Sequence, residues 1–448
     1  MKEVDILISG GLLLTMDGDF TVIENPIIAV EQDRITYVGK ASPSNKTMFT
    51  AKKEIDATGS IILPGLINTH THVPMVCFRG IADDLPLMEW LNNHIFPLEM
   101  KYVNKDMVYW GARLACAEMI LSGTTTFCDG YFYPGRIARA AMESGLRVVL
   151  GLGFFDLDED PKMAAEKNAA NARRFLEKWC SISPLVTPAL FPHAPYTCRP
   201  ETMRAVKDVA EEYGALFITH LAETKDEVET IRGKYGLSPV RLLYAHRLLN
   251  ERTVAVHCNW LDDEEIELLE ITGTKVSHNA ESGMKLASGL CPVPALLKRG
   301  ITVGLGTDGC ASNNDHDLIR EMGTVALVHK LLTGDPTVLN AKTVLELATT
   351  KGARVLGMEK EIGSIEVGKQ ADLILVDTRH PRLKPLYNPY SQIVYAASGD
   401  NVTTTICHGR LLMENRRLLT LDLSETLFQV EKIAQTIREG ENLSSRFY

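Results

Sequence analysis

Ile67-Asn68-Thr69-His70-Thr71-His72 closes an apolar run, Ile61-Ile62-Leu63-Pro64-Gly65-Leu66, near the start of the chain. The run reads as a buried strand, and side chains two apart on an extended segment point to the same side. His70 and His72 therefore present two imidazoles to one point in space, which is half of a zinc site. An isolated His-x-His is as readily a pair of polar loop histidines. What decides between the two is the set of metal-type residues at other strand ends.

Outward from this stretch, residues 59–360 alternate short apolar runs with longer helix-like segments, the pattern of βα units around a parallel sheet. Eight candidate strands fall near 61–67, 124–128, 147–153, 186–191, 216–220, 253–257, 274–278 and 301–306. Helical stretches lie between them, for example 104–121, 162–180, 201–213, 262–271 and 313–333. Eight such units predict an α/β fold, a (β/α)8 TIM barrel, in preference to an open doubly wound sheet. Both ends of the chain are β-rich. Asp5-Ile6-Leu7-Ile8, Ile27-Ile28-Ala29-Val30 and Arg34-Ile35-Thr36-Tyr37-Val38 lie on one side of the barrel region, and Ala371-Asp372-Leu373-Ile374-Leu375-Val376 and Val402-Thr403-Thr404-Thr405-Ile406 on the other. The expected organisation is a small β-sandwich domain built from residues 1–58 and 361–425, the barrel over 59–360, and a C-terminal helix over 426–448.

The chain has 448 residues, 45% of them hydrophobic and 23% charged, an ordinary globular balance with room for more than one domain. Its formal charge of −10, from 47 basic and 57 acidic residues, argues against a general nucleic-acid binder. Nine cysteines without a Cys-x-x-Cys pair read as reduced, mostly buried thiols. With no signal-peptide pattern and no apolar run long enough to span a bilayer, the expected location is cytoplasmic, with no membrane partner. A homo-oligomer is compatible with all of this.

The strand ends carry the chemistry. The first predicted strand ends at His70 and His72, the fourth at His193, and the fifth at His220 with Glu223 three residues on. The sixth ends at His257, the seventh at His278 and the eighth at Asp308. In a barrel all of these converge on one face. Taken singly, each has a plainer explanation: a lone His is more often a hydrogen-bonded structural residue, and an Asp after a strand is often a helix N-cap. Six of the twelve histidines at strand ends is hard to explain as six separate accidents. His94, His246, His316, His329, His380 and His408 have no such placement and read as structural or surface. His70, His72, His220 and Asp308 form a ligand set suited to zinc, with iron or manganese as alternatives. A metal with an open position activates water near neutral pH. Glu223 could shuttle protons and His257 orient the water, which implies metal-assisted hydrolysis at a trigonal carbon.

These residues resemble the amidohydrolase superfamily, in its one-metal, deaminase-like branch, and the resemblance covers nearly the whole chain. The fourth strand ends at His193, where two-metal members carry a bridging carboxylated lysine, which implies one metal ion. Further segments are similar to 5-methylthioadenosine/S-adenosylhomocysteine deaminases and 5′-deoxyadenosine-type relatives. They are Arg79-Gly80-Ile81-Ala82-Asp83-Asp84-Leu85-Pro86-Leu87-Met88-Glu89-Trp90-Leu91, Ser277-His278-Asn279 and Gly306-Thr307-Asp308-Gly309-Cys310-Ala311-Ser312. The resemblance implies that His70, His72, His220 and Asp308 bind the metal, that Glu223 protonates a ring nitrogen, and that His257 and Asp308 activate water. It also implies a small-molecule nucleoside substrate, with Glu99 on the ribose hydroxyls, Trp90 packing near the nucleoside and His193 touching purine or sugar. From the residues alone, Trp90 is equally a core aromatic, and Glu99 equally a first-turn acid favoured by the helix dipole.

One segment departs from the pattern. Some members place Arg after the third strand to pair with a homocysteine carboxylate; here Asp156-Leu157-Asp158-Glu159-Asp160 follows, and Lys162 is the nearest cation. This acidic loop is expected to repel an anion. It favours 5-methylthioadenosine, 5′-deoxyadenosine or adenosine over S-adenosylhomocysteine. The alternatives are an aminohydrolase or chlorohydrolase acting on a free s-triazine, guanine or pterin ring, and a metal-free barrel serving as a scaffold.

Overall fold

The computed structural model describes residues 1–42, 48–156 and 160–441. Eight parallel strands run in sequential order: Leu66–Thr71, Thr124–Tyr131, Arg147–Phe154, Val186–Pro192, Phe217–Leu221, Thr253–His257, Lys275–His278 and Val303–Leu305. Strands such as Phe217–Leu221 and Thr253–His257 are buried at every position, as expected where an inner core lies on one side and helices on the other. The last strand returns to the first. Thr71 and Asp308 form a parallel bridge, and the Asp308 N–H donates to the His70 carbonyl at 3.0 Å. Gly306 permits this approach, because a side-chain carbon there would sit 2.8 Å from the His70 nitrogen. Barrel closure is thus also what sets Asp308 beside His70.

The β-sandwich is made of two sheets. Lys2–Ser9, Pro26–Glu31, Arg34–Lys40 and Phe49–Asp56 form a four-stranded sheet. A seven-stranded sheet joins Leu12–Leu14, Val22–Glu24 and Ser60–Pro64 to Leu373–Asp377, Val402–Cys407, Arg410–Glu414 and Arg417–Leu418 from the far end of the chain. Ile6, Ile8, Ile28 and Ile55 of the first sheet pack against Leu13, Ile62, Leu373 and Ile406 of the second in one core.

The apolar run expected to be the first barrel strand, 61–67, is in fact two strands in two domains. Ile61, Ile62, Leu63 and Pro64 pair antiparallel with Val376, Leu375, Ile374 and Leu373 in the sandwich, so that sheet reaches past residue 58. The barrel strand starts only at Leu66. Gly65 makes the switch possible, since any side chain there would run into Thr125. Between the domains, the buried Arg147 guanidinium at the start of the third barrel strand is paired with Asp372 and donates to Thr126 Oγ1 at 2.9 Å. The C-terminal helix spans Leu423–Glu441; the expected continuation over 442–448 lies outside the described residues. All nine cysteines are free thiols, and no helix among the described residues is long and apolar enough to cross a membrane.

Candidate active site

The C-terminal ends of the barrel strands bring together most of the predicted set. Ligand-type atoms of His70, His72 and His220 lie within 4.8 Å of one another, as do those of His70, His257 and Asp308. Asp308 Oδ1 is 3.2 Å from His70 Nε2 and 3.5 Å from His72 Nε2. Its other oxygen is held from behind, accepting from Ser282 Oγ at 2.7 Å and Ser312 Oγ at 2.9 Å. His72 Nδ1 meets the Gly130 carbonyl and His220 Nδ1 the His193 carbonyl, each at 2.8 Å. Those contacts put the ring proton on Nδ1 and leave each Nε2 lone pair facing the centre. Both nitrogens of His70 are fully buried and, the 3.2 Å approach of Asp308 to Nε2 aside, make no directed hydrogen bond among the described residues. Two orphaned nitrogens beside two preset imidazoles and a carboxylate are the chemistry of a cation site, so the residues present fit a zinc-class ion.

Charge and burial are consistent with this. Burial pushes the Asp308 carboxyl up, and the surrounding His70, His72 and His257 more than reverse it, holding it well below the ordinary carboxylate range. Burial lowers His70, and lowers His220 well below the ordinary imidazole value. Glu223 goes the other way: burial, then the charges of Asp308 and Glu227, raise it well above the usual value. His257 Nε2 lies 3.7 Å from Glu223 Oε1, and Asn279 Nδ2 donates to its other nitrogen at 3.2 Å. Burial lowers His257 to about 3.

A cavity of about 230 Å3 opens from this centre and is lined by His72, His220, Glu223, His257 and Asp308 on its floor. Trp90, Glu99 and His193 line it too. The Trp90 indole N–H is buried without a partner among the described residues, so Trp90 offers a donor as well as a packing surface. Glu99 accepts from Tyr131 Oη at 2.6 Å, and removal from water pushes it up to about 7. His193 stacks on Phe155 with centroids 4.8 Å apart, and its Nδ1 is 2.8 Å from Thr197 Oγ1.

Two expectations change. His278, although it ends the seventh strand, is outside the cluster and sits 3.2 Å from His329 in a buried pair. Its neighbour Ser277 bonds Thr69 across the barrel interior at 2.6 Å, so the alternation of a strand turns His278 toward the outer helices. The two described acids of the acidic loop, Asp156 and Asp160, are not free charges. Asp156 accepts from the Arg199 N–H at 2.5 Å and Thr202 Oγ1 at 2.7 Å, and Asp160 caps the helix Pro161–Trp179. Leu157, Asp158 and Glu159 lie outside the described residues. Asn279, Ser282, Ser312 and Tyr131 are supports whose roles sequence reasoning missed; Asn279 and Ser312 fall inside the quoted segments, and Ser282 and Tyr131 gave no signal.

A model of the amidohydrolase family matches residues 61–412. The chain is 48% identical over 437 residues to a 5-methylthioadenosine/S-adenosylhomocysteine deaminase of Syntrophobacter fumaroxidans, covering 98% of this chain and 99% of the relative. It is 43% identical over 434 residues to a 5′-deoxyadenosine deaminase of Methanosarcina mazei, covering 97% and 98%. The crystal structure of an adenosine deaminase from Xanthomonas campestris with bound zinc superposes with a TM-score of 0.93 at 35% identity, over 98% of this chain and 99% of that one. With the family match spanning barrel and sandwich strands alike, and with these relatives matching end to end, the chain belongs to the amidohydrolase family.

Proposed function

We propose that this chain is a zinc-dependent hydrolytic deaminase that converts an adenine nucleoside to its inosine analogue and ammonia. The observation that carries the reading is the joining of two half-sites in one cavity: the His70, His72, His220 and Asp308 set on the floor, and the Glu99 carboxylate with the unpartnered Trp90 N–H on the wall. A bare triazine or guanine ring has no hydroxyls for Glu99 to hold; a ribose has two.

A zinc-class ion in that set supplies Lewis-acid activation of water. Glu223, whose carboxyl burial and the charges of Asp308 and Glu227 raise well above the usual value, delivers its proton to N1 of the purine as water oxygen adds to C6. Asp308 Oδ1 takes a proton from that water, and His257 orients it from Nε2. The C6 hydroxyl proton then passes through the Glu223 carboxylate to the amine as the C6–N bond breaks, giving ammonia and a C6 carbonyl, and the proton held by Asp308 returns to Glu223. Glu99 accepts hydrogen bonds from the ribose hydroxyls, which fixes C6 over the floor, and His193 packs at the purine or sugar. Family names among the relatives support the reaction, and the bound zinc of the structural neighbour supports the ion.

Leu152 and Phe155 give the cavity an apolar wall, and no Lys or Arg is among the described residues lining it. A homocysteine carboxylate would find no guanidinium fork there, whereas a methyl or methylthio group is matched to that wall. The support for a neutral 5′ group is therefore this lining rather than repulsion by Asp156. The test is kcat/KM for 5-methylthioadenosine, 5′-deoxyadenosine, adenosine, S-adenosylhomocysteine, guanine and melamine under one set of conditions. The first three are expected to lead; a lead for S-adenosylhomocysteine overturns the 5′ assignment, and a lead for a free base overturns the nucleoside.

A further inference from the structure

Glu223 is followed by Thr224-Lys225-Asp226-Glu227, the sequence of an ordinary capping box. In such a box the N-cap side chain accepts from the N3 backbone, and the N3 carboxylate accepts from the N-cap backbone. The chain contains a true one. At the helix Asp263–Thr272, Asp262 accepts from the Glu265 N–H at 2.9 Å, and Glu265 accepts from the Asp262 N–H at 2.9 Å.

At the helix Lys225–Tyr235 only the first half is made. Thr224 Oγ1 accepts from the Glu227 N–H at 3.0 Å. The Glu227 carboxylate passes over the N-cap and takes the two N–H groups before it, Glu223 at 2.7 Å and Ala222 at 3.0 Å. Ala222 lies in the left-handed region at φ 51, which an alanine adopts only when its surroundings impose it. The opposite edge of the same two residues is also held. The Ala222 carbonyl accepts from the Asn259 and Trp260 N–H groups, both at 3.0 Å, and the Glu223 carbonyl from Asn259 Nδ2 at 3.0 Å. Glu227 is 4% exposed and has no other hydrogen-bond donor within reach among the described residues.

We propose that Glu227 is a positioning residue whose carboxylate clamps the strained backbone of Ala222 and the adjoining N–H of Glu223, and so aims the Glu223 side chain at the substrate. This rests on the reading of Glu223 as the proton carrier. A buried carboxylate diverted from its own helix end onto the residue that carries the proton does more than cap a helix. It holds a backbone that would otherwise relax out of the left-handed region, and a shift of about 1 Å in a reacting group costs on the order of 100-fold in rate.

The test uses the full-length, zinc-loaded protein with 5-methylthioadenosine. Glu227→Gln keeps one acceptor and sets an N–H against an N–H at the other. It is expected to lower kcat about 10- to 100-fold with KM within about twofold, since substrate binding does not run through Glu223's backbone. Zinc content should be unchanged. Glu265→Gln, in the ordinary box, should leave kcat as it was. In a Glu223→Gln background the further change Glu227→Gln should cost less than about twofold, because its effect acts through the group already removed. If Glu227→Gln does not fold, Glu227→Asp, which keeps the charge and withdraws it by one methylene, is expected to show the same loss of kcat. Wild-type kcat in the folded variant, or the full loss repeated in the Glu223→Gln background, overturns the clamp alone. Near-normal turnover of Glu223→Gln by itself overturns the reading of Glu223, and the clamp with it.

Discussion

Replacing Glu99 by Gln separates a nucleoside enzyme from one acting on a bare ring. Glu99 is partly buried in the cavity wall, and one of its oxygens accepts from Tyr131 Oη at 2.6 Å. A ribose diol would donate to the carboxylate in a site where water competes weakly. Hydrogen bonds to a charged group contribute about 1.5–3 kcal/mol, so loss of the charge should lower kcat/KM for 5-methylthioadenosine by about 10- to 150-fold. Removal from water raises Glu99 to about 7, opposed by the Tyr131 hydrogen bond and then the charge of His72. The sign follows from the raised value: below about 7 the carboxyl is protonated and a poorer acceptor for the diol, and above it the carboxylate is present. The wild-type kcat/KM should therefore rise with pH through about 7, and Glu99→Gln should lose that limb. Steady-state ammonia release from pH 5 to 9 reads both effects. Unchanged kcat/KM for the nucleoside in Glu99→Gln would refute the assignment of Glu99 to the ribose.

Glu223→Gln should retain zinc and lose about 100- to 10,000-fold in turnover, since an amide cannot carry the proton; elemental analysis and single-turnover kinetics check both halves. Arg147→Ala leaves the Asp372 carboxylate buried without its partner at the join between barrel and sandwich, and should cost about 3–5 kcal/mol in chemical denaturation. A loss below about 1 kcal/mol would mean the pair behaves as an exposed one. Gly65→Ala forces a methyl against Thr125 where the chain passes from sandwich to barrel, and should cost about 1–3 kcal/mol, read as a lower melting temperature.

The barrel and the gathering of His70, His72, His220 and Asp308 at its strand ends are legible in the sequence for one reason. Parallel strands buried on both faces stand out as continuous apolar runs, and their C-terminal ends are where a barrel gathers its chemistry. His70, His72, His220 and Asp308 could be read in this way without any contact information. The same signal misleads at 61–66, where one apolar run serves two sheets; nothing in hydrophobicity distinguishes Leu63 in the sandwich from Leu66 in the barrel, and the break depends on Gly65 meeting Thr125. It misleads again at His278, where a four-residue strand ends on the outward side. The supports behind these side chains are not legible. Ser282, Ser312 and Asn279 act through distances between loops that sequence spacing does not encode. Glu227 looks like a helix cap, and only the left-handed backbone of Ala222 reveals a different task.

The central claim is tested most directly by titrating zinc into metal-stripped protein while following 5-methylthioadenosine to its inosine analogue, with ammonia measured in parallel. Stripped protein is expected to show no turnover, activity is expected to saturate at one zinc per chain, and one ammonia is expected for each nucleoside consumed. Full activity without any metal, or zinc-restored protein that leaves every adenine nucleoside intact, would contradict that claim.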